Sequence, residues 1–432
     1  RLVTNQEVLG SNPSRRTKMK KNLFINIYSV LFLCLISRVV AYFFFSDLRI
    51  DNEWGKLVHN LSITGILGIN VYDGVSISHA YAQLNDKVMP SVFMPPLYAY
   101  FIYIIKLFTQ NTFELVKAVI IVQIIISLLS TYIFFKILIN FTNHKFSILL
   151  SLIFCLFPIN IYSVVQISSV SLQIFLLLTY FYFFLEILNK KTYLNLILFT
   201  IAASFLILTR GEFFIFYIFT LLYFLYPLNI RINKIVISIF LTLVLISPYA
   251  IRNYNIFNTI VLTKSFGYNL LKGNNPDATV EGNESYIDIK FQKEKIPIEI
   301  NDKYEINLDN FYKIKAIEFI KDEPLKYLKL YVLKVISFIF LDFNSTYPNY
   351  YNVAHIVPKL ILSITALFGA IISLKRVGFF QYLSLFYFGN IFLFSMFFIL
   401  PRYSVMMIPA HFLLSVSFIN YFITNKKYKI FI

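Results

Sequence analysis

Residues 22–45 read NLFINIYSVLFLCLISRVVAYFFF and lead directly into the polar SDLRIDNEW of residues 46–54. An apolar run of this length crosses a hydrocarbon layer of about 30 Å as a helix. It is too long for a signal-peptide core and lacks a small-residue cleavage site, so it reads as a retained anchor. Lys18, Lys20 and Lys21 precede it and place its start on the cytoplasmic side, where short basic segments are held back. The acids that follow matter because acids are scarce. Of 22 Asp and Glu residues, twelve lie between Asp277 and Glu323. Five of the other ten (Asp47, Asp51, Glu53, Asp73, Asp86) sit in the single polar loop, residues 46–92, that follows this run. Carboxylates gathered in this way beside a membrane face point to chemistry or recognition there.

The rest of the chain repeats the first signal. Hydrophobic residues make up 58% and charged residues 14%. The mean hydropathy is +0.68. A soluble domain is only about 45–50% apolar, so the chain is a polytopic, all-α integral membrane protein. Further apolar runs cover about 114–139, 146–165, 170–188, 193–209, 212–228, 234–250, 357–374, 379–400 and 404–423. Two shorter pieces, 97–108 and 327–341, have the length of interfacial or re-entrant segments, and Lys334 interrupts the second. Roughly ten to twelve spans are expected. Lys190-Lys191, Arg231/Lys234 and the basic tail mark cytoplasmic ends, leaving 46–92 and 254–325 outside.

The net charge of +17 does not indicate nucleic acid, because it lies in termini and short loops and no soluble basic domain carries it. Cys34 and Cys155 both fall inside apolar runs and read as buried small hydrophobes. The five histidines lack ligand spacing, and no glycine-rich phosphate loop is present, so neither metal nor cofactor is expected. Residues 1–18 read as a disordered tail or an overhang ahead of Met19. An N-terminal membrane region (19–253, with the loop 46–92), a loop domain (254–325) and a C-terminal membrane region (326–432) follow.

Several short motifs occur in a definite order. They are the acidic motif after the first span, Met94-Pro95-Pro96-Leu97-Tyr98, and Pro248 followed by Arg252-Asn253-Tyr254. Then come Asn269-Leu270-Leu271-Lys272-Gly273-Asn274-Asn275-Pro276 and Pro401-Arg402-Tyr403 before Pro409. Each is weak alone, but the set resembles bacterial glycosyltransferase family 39, relatives of the protein O-mannosyltransferases and the lipid A aminoarabinose transferase within the GT-C class. The resemblance covers nearly all of the chain from Met19. It implies a GT-C transmembrane bundle with two extracytoplasmic loops in a bacterial inner (plasma) membrane. It further implies inverting transfer of a sugar from a polyprenyl-phosphate donor to a lipid, glycan or protein acceptor on the outer face.

The residues fit that chemistry on their own terms. A carboxylate must accept the proton of an attacking hydroxyl, and Asp51 matches the family's first-loop acid, with Glu53 as its substitute. The bland alternative for Asp51 is a helix cap. A departing lipid phosphate needs cations. Arg252, Arg402 and Arg210 stand at external span ends, with Lys264 a fourth candidate, and their alternative is snorkelling to the interface. Asn274, Asn275 and Trp54 are candidates for substrate contact, and the two asparagines also read as a turn. A transporter or lipid-linked-sugar flippase is the rival from another class, and it should carry ionisable groups in mid-span. A GT-C partner subunit without catalysis is the second rival.

Overall fold

In a computed structural model of the protein, the structure describes residues 26–50, 52–70, 88–293, 298, 301–342, 344–345, 353–375 and 377–423. It is helical almost throughout. The first span is α1 (Ile27–Phe45), which buries Val30, Cys34, Arg38 and Ala41 at helical spacing. It exposes Phe32, Phe43 and Phe44 outward, which is the apolar face a lipid-bathed helix presents. A short helix α2 (Glu53–Thr64) and an antiparallel pair, β1 (Gly68–Asn70) with β2 (Val88–Pro90), form the described part of the first loop. Next come α3 (Pro96–Lys106), α4 (Thr112–Leu138), α5 (His144–Cys155), α6 (Pro158–Val164), α7 (Val170–Asn189), α8 (Tyr193–Thr209), α9 (Phe213–Leu225) and α10 (Ile232–Phe257). The second loop holds α11 (Phe266–Gly273), α12 (Glu284–Lys293) and α13 (Tyr304–Asp322). The chain ends with α14 (Pro324–Ile339), α15 (Val353–Ser373), α16 (Phe379–Ser395), α17 (Pro401–Val405) and α18 (Ile408–Ile423).

Side-chain contacts sort the helix connections into two ends. At one end Phe141 stacks on Phe379 and packs at a tilt against Phe380, Asn420 donates to the Phe141 carbonyl at 3.2 Å, and Tyr223 donates to the Gly378 carbonyl at 3.0 Å. Lys234 reaches the Lys191 carbonyl there too. At the other end, the connections after α1, α6, α8, α10 and α16 line one cleft. Five helices are long and apolar enough to cross a membrane, and α5 with α6 makes a sixth, bent by 56°. The shorter apolar helices α8, α9, α16 and α18 carry the chain between the same two ends. Neither α3 nor α14 crosses. The first is only 11 residues long, and its Lys106 binds Ser62 of α2 at 2.6 Å. Lys334 of α14 donates to the Gly273 carbonyl at 2.7 Å, at the cleft end. Among the described residues, ten passages therefore close the path, and the described chain leaves on the side where it entered.

The bend between α5 and α6 explains a buried arginine that the sequence pattern does not anticipate. Pro158 has no N–H to continue the ladder before it, so the carbonyls at this bend take side-chain donors. Asn160 donates to the Phe154 carbonyl at 3.2 Å, and Arg38 donates to the Cys155 carbonyl. Arg38 also holds Ser127 Oγ at 3.2 Å and is 1% exposed. It is thus an ionisable mid-span group spent on fixing the kink, not on lining a path. Arg38→Met should lower stability in detergent by about 1.5–3 kcal/mol, the scale of a hydrogen bond to a charged group. Thermal unfolding of the purified variant checks this.

Candidate functional site

The cleft encloses about 990 Å³ and draws its walls from both loops and the bundle. Its first wall begins at the acidic motif. The side chain of Asn52 caps α2 by accepting from the Gly55 amide at 3.3 Å, and its Nδ2 donates to the Ile167 carbonyl at 3.1 Å. The motif is thereby tied to the connection between α6 and α7. Gln123 secures that connection from below, donating to the carbonyls of Val164 and Gln166 at 2.9 Å each. Gln166 in turn donates to the Phe45 carbonyl at 2.8 Å. Buried amides thus fix the end of α1 against the entry to α7.

Asp51 lies outside the described residues. Its neighbours Asn52, Glu53 and Trp54 all line the cleft, and the capping role that Asp51 could have had belongs to Asn52. Glu53 is the first residue of α2. Among the described residues it is the one cleft carboxylate with no hydrogen-bond or ion-pair partner. Asp47 pairs with Arg49 at 3.2 Å, Glu212 with Arg210 at 2.5 Å, Glu284 with Lys272 at 2.6 Å, and Glu281 accepts from Ser345. Trp54 is 5% exposed and packs edge-on against Tyr98 with ring centroids 5.0 Å apart, so most of its surface serves the wall.

The cations separate clearly. Arg210 ends α8 and lines the cleft. Its guanidinium stands 4.9 Å from the Phe394 ring and 5.4 Å from the Tyr403 ring. Nε is held by Glu212 and Nη1 by the Met406 sulfur at 2.9 Å, leaving Nη2 without a protein partner among the described residues. A cation at a helix C-terminus is also favoured by the helix dipole. Arg252 differs. Helix α10 continues to Phe257, so Arg252 sits within its last turns rather than beyond it. It donates to the carbonyls of Ser91 at 3.1 Å and Leu67 at 2.8 Å and to Asn253 Oδ1 at 2.7 Å. It clamps the ends of the β1–β2 pair and is not among the residues lining the cleft. Lys264 also lies outside the lining, its ammonium 3.9 Å from Asp309. Arg402 belongs to α17, beside the cleft residues Leu400 and Tyr403.

Asn274 and Asn275 are buried at 5% and 0% exposure and spend their amides on the fold. Asn274 donates to the carbonyls of Leu270 and Met396 and accepts from Lys334. Asn275 donates to those of Leu271, Lys272 and Asn283. The cleft face of α11 is instead Tyr268, Asn269 and Lys272. Lys272 sits 4.9 Å from the Phe398 ring, and Tyr268 donates to Glu284 at 2.6 Å. Burial, with the Glu284 charge beside it, pushes the Tyr268 hydroxyl well above its ordinary pKa, so it stays a donor. Arg49, Lys272 and Tyr268 are cleft residues to which the sequence pattern assigns no role, although Lys272 lies within the Asn269–Pro276 motif. Helical spacing could have found the last two, because 268 and 272 share a face once α11 is recognised as a helix rather than a loop. Gly273 closes that helix where only glycine fits, since a Cβ there would lie 2.0 Å from the Phe397 carbonyl oxygen.

No family model and no curated protein matches the chain. Among solved structures, an Archaeoglobus fulgidus oligosaccharyltransferase tethered to an acceptor peptide containing the NVT sequon is similar. Its TM-score is 0.50 at 14% identity, over 91% of this chain and 49% of that one. The archaeal oligosaccharyltransferase AglB from the same organism, in complex with an inhibitory peptide and a dolichol-phosphate, gives 0.48 at 15% identity, over 91% and 50%. The chain spans about half the length of either. At such identity the likeness concerns the fold alone: this is a multi-pass, all-α membrane protein with a fold like that of the peptide-tethered oligosaccharyltransferase.

Proposed function

We propose that the protein is a membrane glycosyltransferase of the cell envelope, and that the cleft is its active site on the outer face of a bacterial inner membrane. The observation that carries this reading is the convergence at one end of the bundle of the first-loop acidic motif, the stacked Arg210 and the second loop. In this reading a polyprenyl-phosphate sugar enters with its phosphate toward Arg210. An acceptor hydroxyl on a lipid, glycan or protein attacks the anomeric carbon from the opposite face. The new C–O bond forms as the bond to phosphate breaks, which inverts the centre. A first-loop carboxylate takes the hydroxyl proton, and Asp51 is assigned that role, with Glu53 as its substitute. Arg210, and Arg402 on the neighbouring segment, are assigned to the phosphate. Arg252, Lys264, Asn274 and Asn275 are assigned to positioning the loops. The likeness to an oligosaccharyltransferase fold is compatible with this reading, and the spending of Arg38 on a kink gives a transport path no support.

The test is a comparison of membrane glycolipids and glycoproteins in a deletion strain, alone and carrying the parent gene or an Asp51→Asn copy. One sugar modification should vanish in the deletion and return with the parent gene only. Identical profiles in all three would remove the proposed activity.

Sidedness supplies a separate prediction. Cys34 and Cys155 are buried, so introduced cysteines can be labelled against a quiet background. Ser62→Cys and Ser285→Cys should react with an impermeant maleimide on whole spheroplasts, and Lys191→Cys only after permeabilisation. Opposite behaviour of the first two would break the common cleft end.

A further inference from the structure

Glu305 lies in the first turn of α13, far in sequence from the first loop, and yet it holds that loop. Its carboxyl group accepts from Ser91 Oγ at 2.8 Å and from the Val92 amide at 2.6 Å. The same two residues are gripped from other sides. Arg252 donates to the Ser91 carbonyl, and the Lys264 amide donates to the Val92 carbonyl at 2.8 Å. The next three residues, Phe93, Met94 and Pro95, form a wall of the cleft, and Phe93 packs edge-on against Tyr268 at 5.5 Å. We propose that Glu305 is a positioning residue of the cleft. Its buried carboxyl group anchors Ser91 and Val92, and through them the Phe93–Pro95 wall, and the anchorage loosens as the acid ionises.

Burial without a counter-ion sets the direction of that dependence, against the pull of the hydrogen bonds, which favour the ionised form. Glu305 is 7% exposed and has no ion-pair partner among the described residues. Of the cations nearby, Lys264 faces Asp309, and Arg252 directs its N–H groups to the carbonyls of Ser91 and Leu67 rather than to the carboxyl group. Asp309, one turn on, adds a second carboxylate, and Tyr249 of α10 brings a phenol and no cation. Burial pushes the Glu305 carboxyl up from 4.5 to about 7, partly offset by the hydrogen bonds from Val92, Ser91 and the Phe93 backbone, with the Asp309 charge raising it further. Once released into water, the acid returns to its ordinary value. The anchored state therefore binds the proton more tightly, and anchorage is strongest in acid. It weakens as pH rises from about 4.5 through about 7 and changes little above that. Between pH 5 and pH 8 the opening equilibrium should rise by roughly several tens of times.

The wall's part in transfer rests on the functional reading above, whereas the strap does not. Hydrogen exchange of the amides at 91–93, corrected for intrinsic rates, reads the strap directly in the full-length protein in nanodiscs. The parent should lose protection by that factor between pH 5 and pH 8. Glu305→Gln, a neutral isostere, should be flat across the range and better protected than the parent at pH 8. Ser91→Ala keeps the carboxyl group and its Val92 bond, so it should keep the pH step and provides a milder variant if Glu305→Gln folds poorly. Equal slopes in parent and Glu305→Gln, or a step lost in Ser91→Ala, would overturn the proposal. In transfer assays KM for the donor should rise with pH in the parent and stay level in Glu305→Gln. A parent that transfers no sugar defeats the functional reading, and the exchange result still decides the strap.

Discussion

Asp51→Asn is expected to slow sugar transfer by about 10²–10⁴-fold, the usual cost of losing a general base, with insertion and folding unchanged. The substitution keeps size and most hydrogen bonding and removes only the basic carboxylate. A capping loss would look different, a modest fall in stability rather than in rate, and the cap of α2 is already supplied by Asn52. Glu53→Gln is the necessary companion. Glu53 lines the cleft without a hydrogen-bond or ion-pair partner among the described residues, so it is placed to act if Asp51 does not. With Asp51 as base, Glu53→Gln should cost about tenfold or less. A reversed order of the two effects would move the role of base to Glu53. Initial rates in membranes, normalised to protein abundance, separate these outcomes.

Arg210→Ala should raise KM for a lipid-phosphate sugar about 10- to 100-fold, the scale of a lost charge-assisted hydrogen bond. Its effect on abundance should be smaller. Arg210→Lys should recover little, because an ammonium cannot lie flat against the Phe394–Tyr403 pair while keeping Glu212 and a phosphate oxygen together. Arg252→Ala provides the contrast. Its three hydrogen bonds hold the β1–β2 pair and Asn253, so it should lower thermal stability and donor use together. Equal KM in parent and Arg210→Ala would return Arg210 to a packing role. A donor-specific loss in Arg252→Ala would restore it to the phosphate.

Much of the architecture is legible in the amino-acid pattern alone. Apolar runs and flanking lysines mark the spans, and the shortness of 97–108 and 327–341 marks two segments that do not cross. The acidic motif points to the end where the cleft lies. The run 146–165 hides its bend, because a single proline inside an apolar stretch does not say whether the chain kinks or breaks. Arg252 misleads because the apolar period fades near residue 250 while α10 continues to Phe257. Its carbonyl partners are contributed by Leu67 and Ser91, which no local pattern connects to it. The acids of the second loop are interleaved with lysines, twelve acids to nine lysines over residues 254–325, and no local pattern marks any of them as buried. That composition conceals Glu305 and Asp309, which are buried at 7% and 3% exposure. Asn274 and Asn275 carry turn chemistry in sequence; in the fold Asn275 bonds to nearby backbone, while Asn274 also ties the second loop to Met396 and Lys334, partners that no local pattern indicates.

The central claim is that the cleft moves a sugar from a lipid phosphate. The direct measurement uses the purified protein in proteoliposomes with a radiolabelled polyprenyl-phosphate sugar and a membrane extract as acceptor source. Release of polyprenyl phosphate and the appearance of labelled product are followed in parent and Asp51→Asn. Both signals are expected in the parent, and both should fall by about two or more orders of magnitude in the variant. Transfer at the parental rate by Asp51→Asn, or bound donor that the parent never cleaves with any acceptor fraction, would contradict the claim.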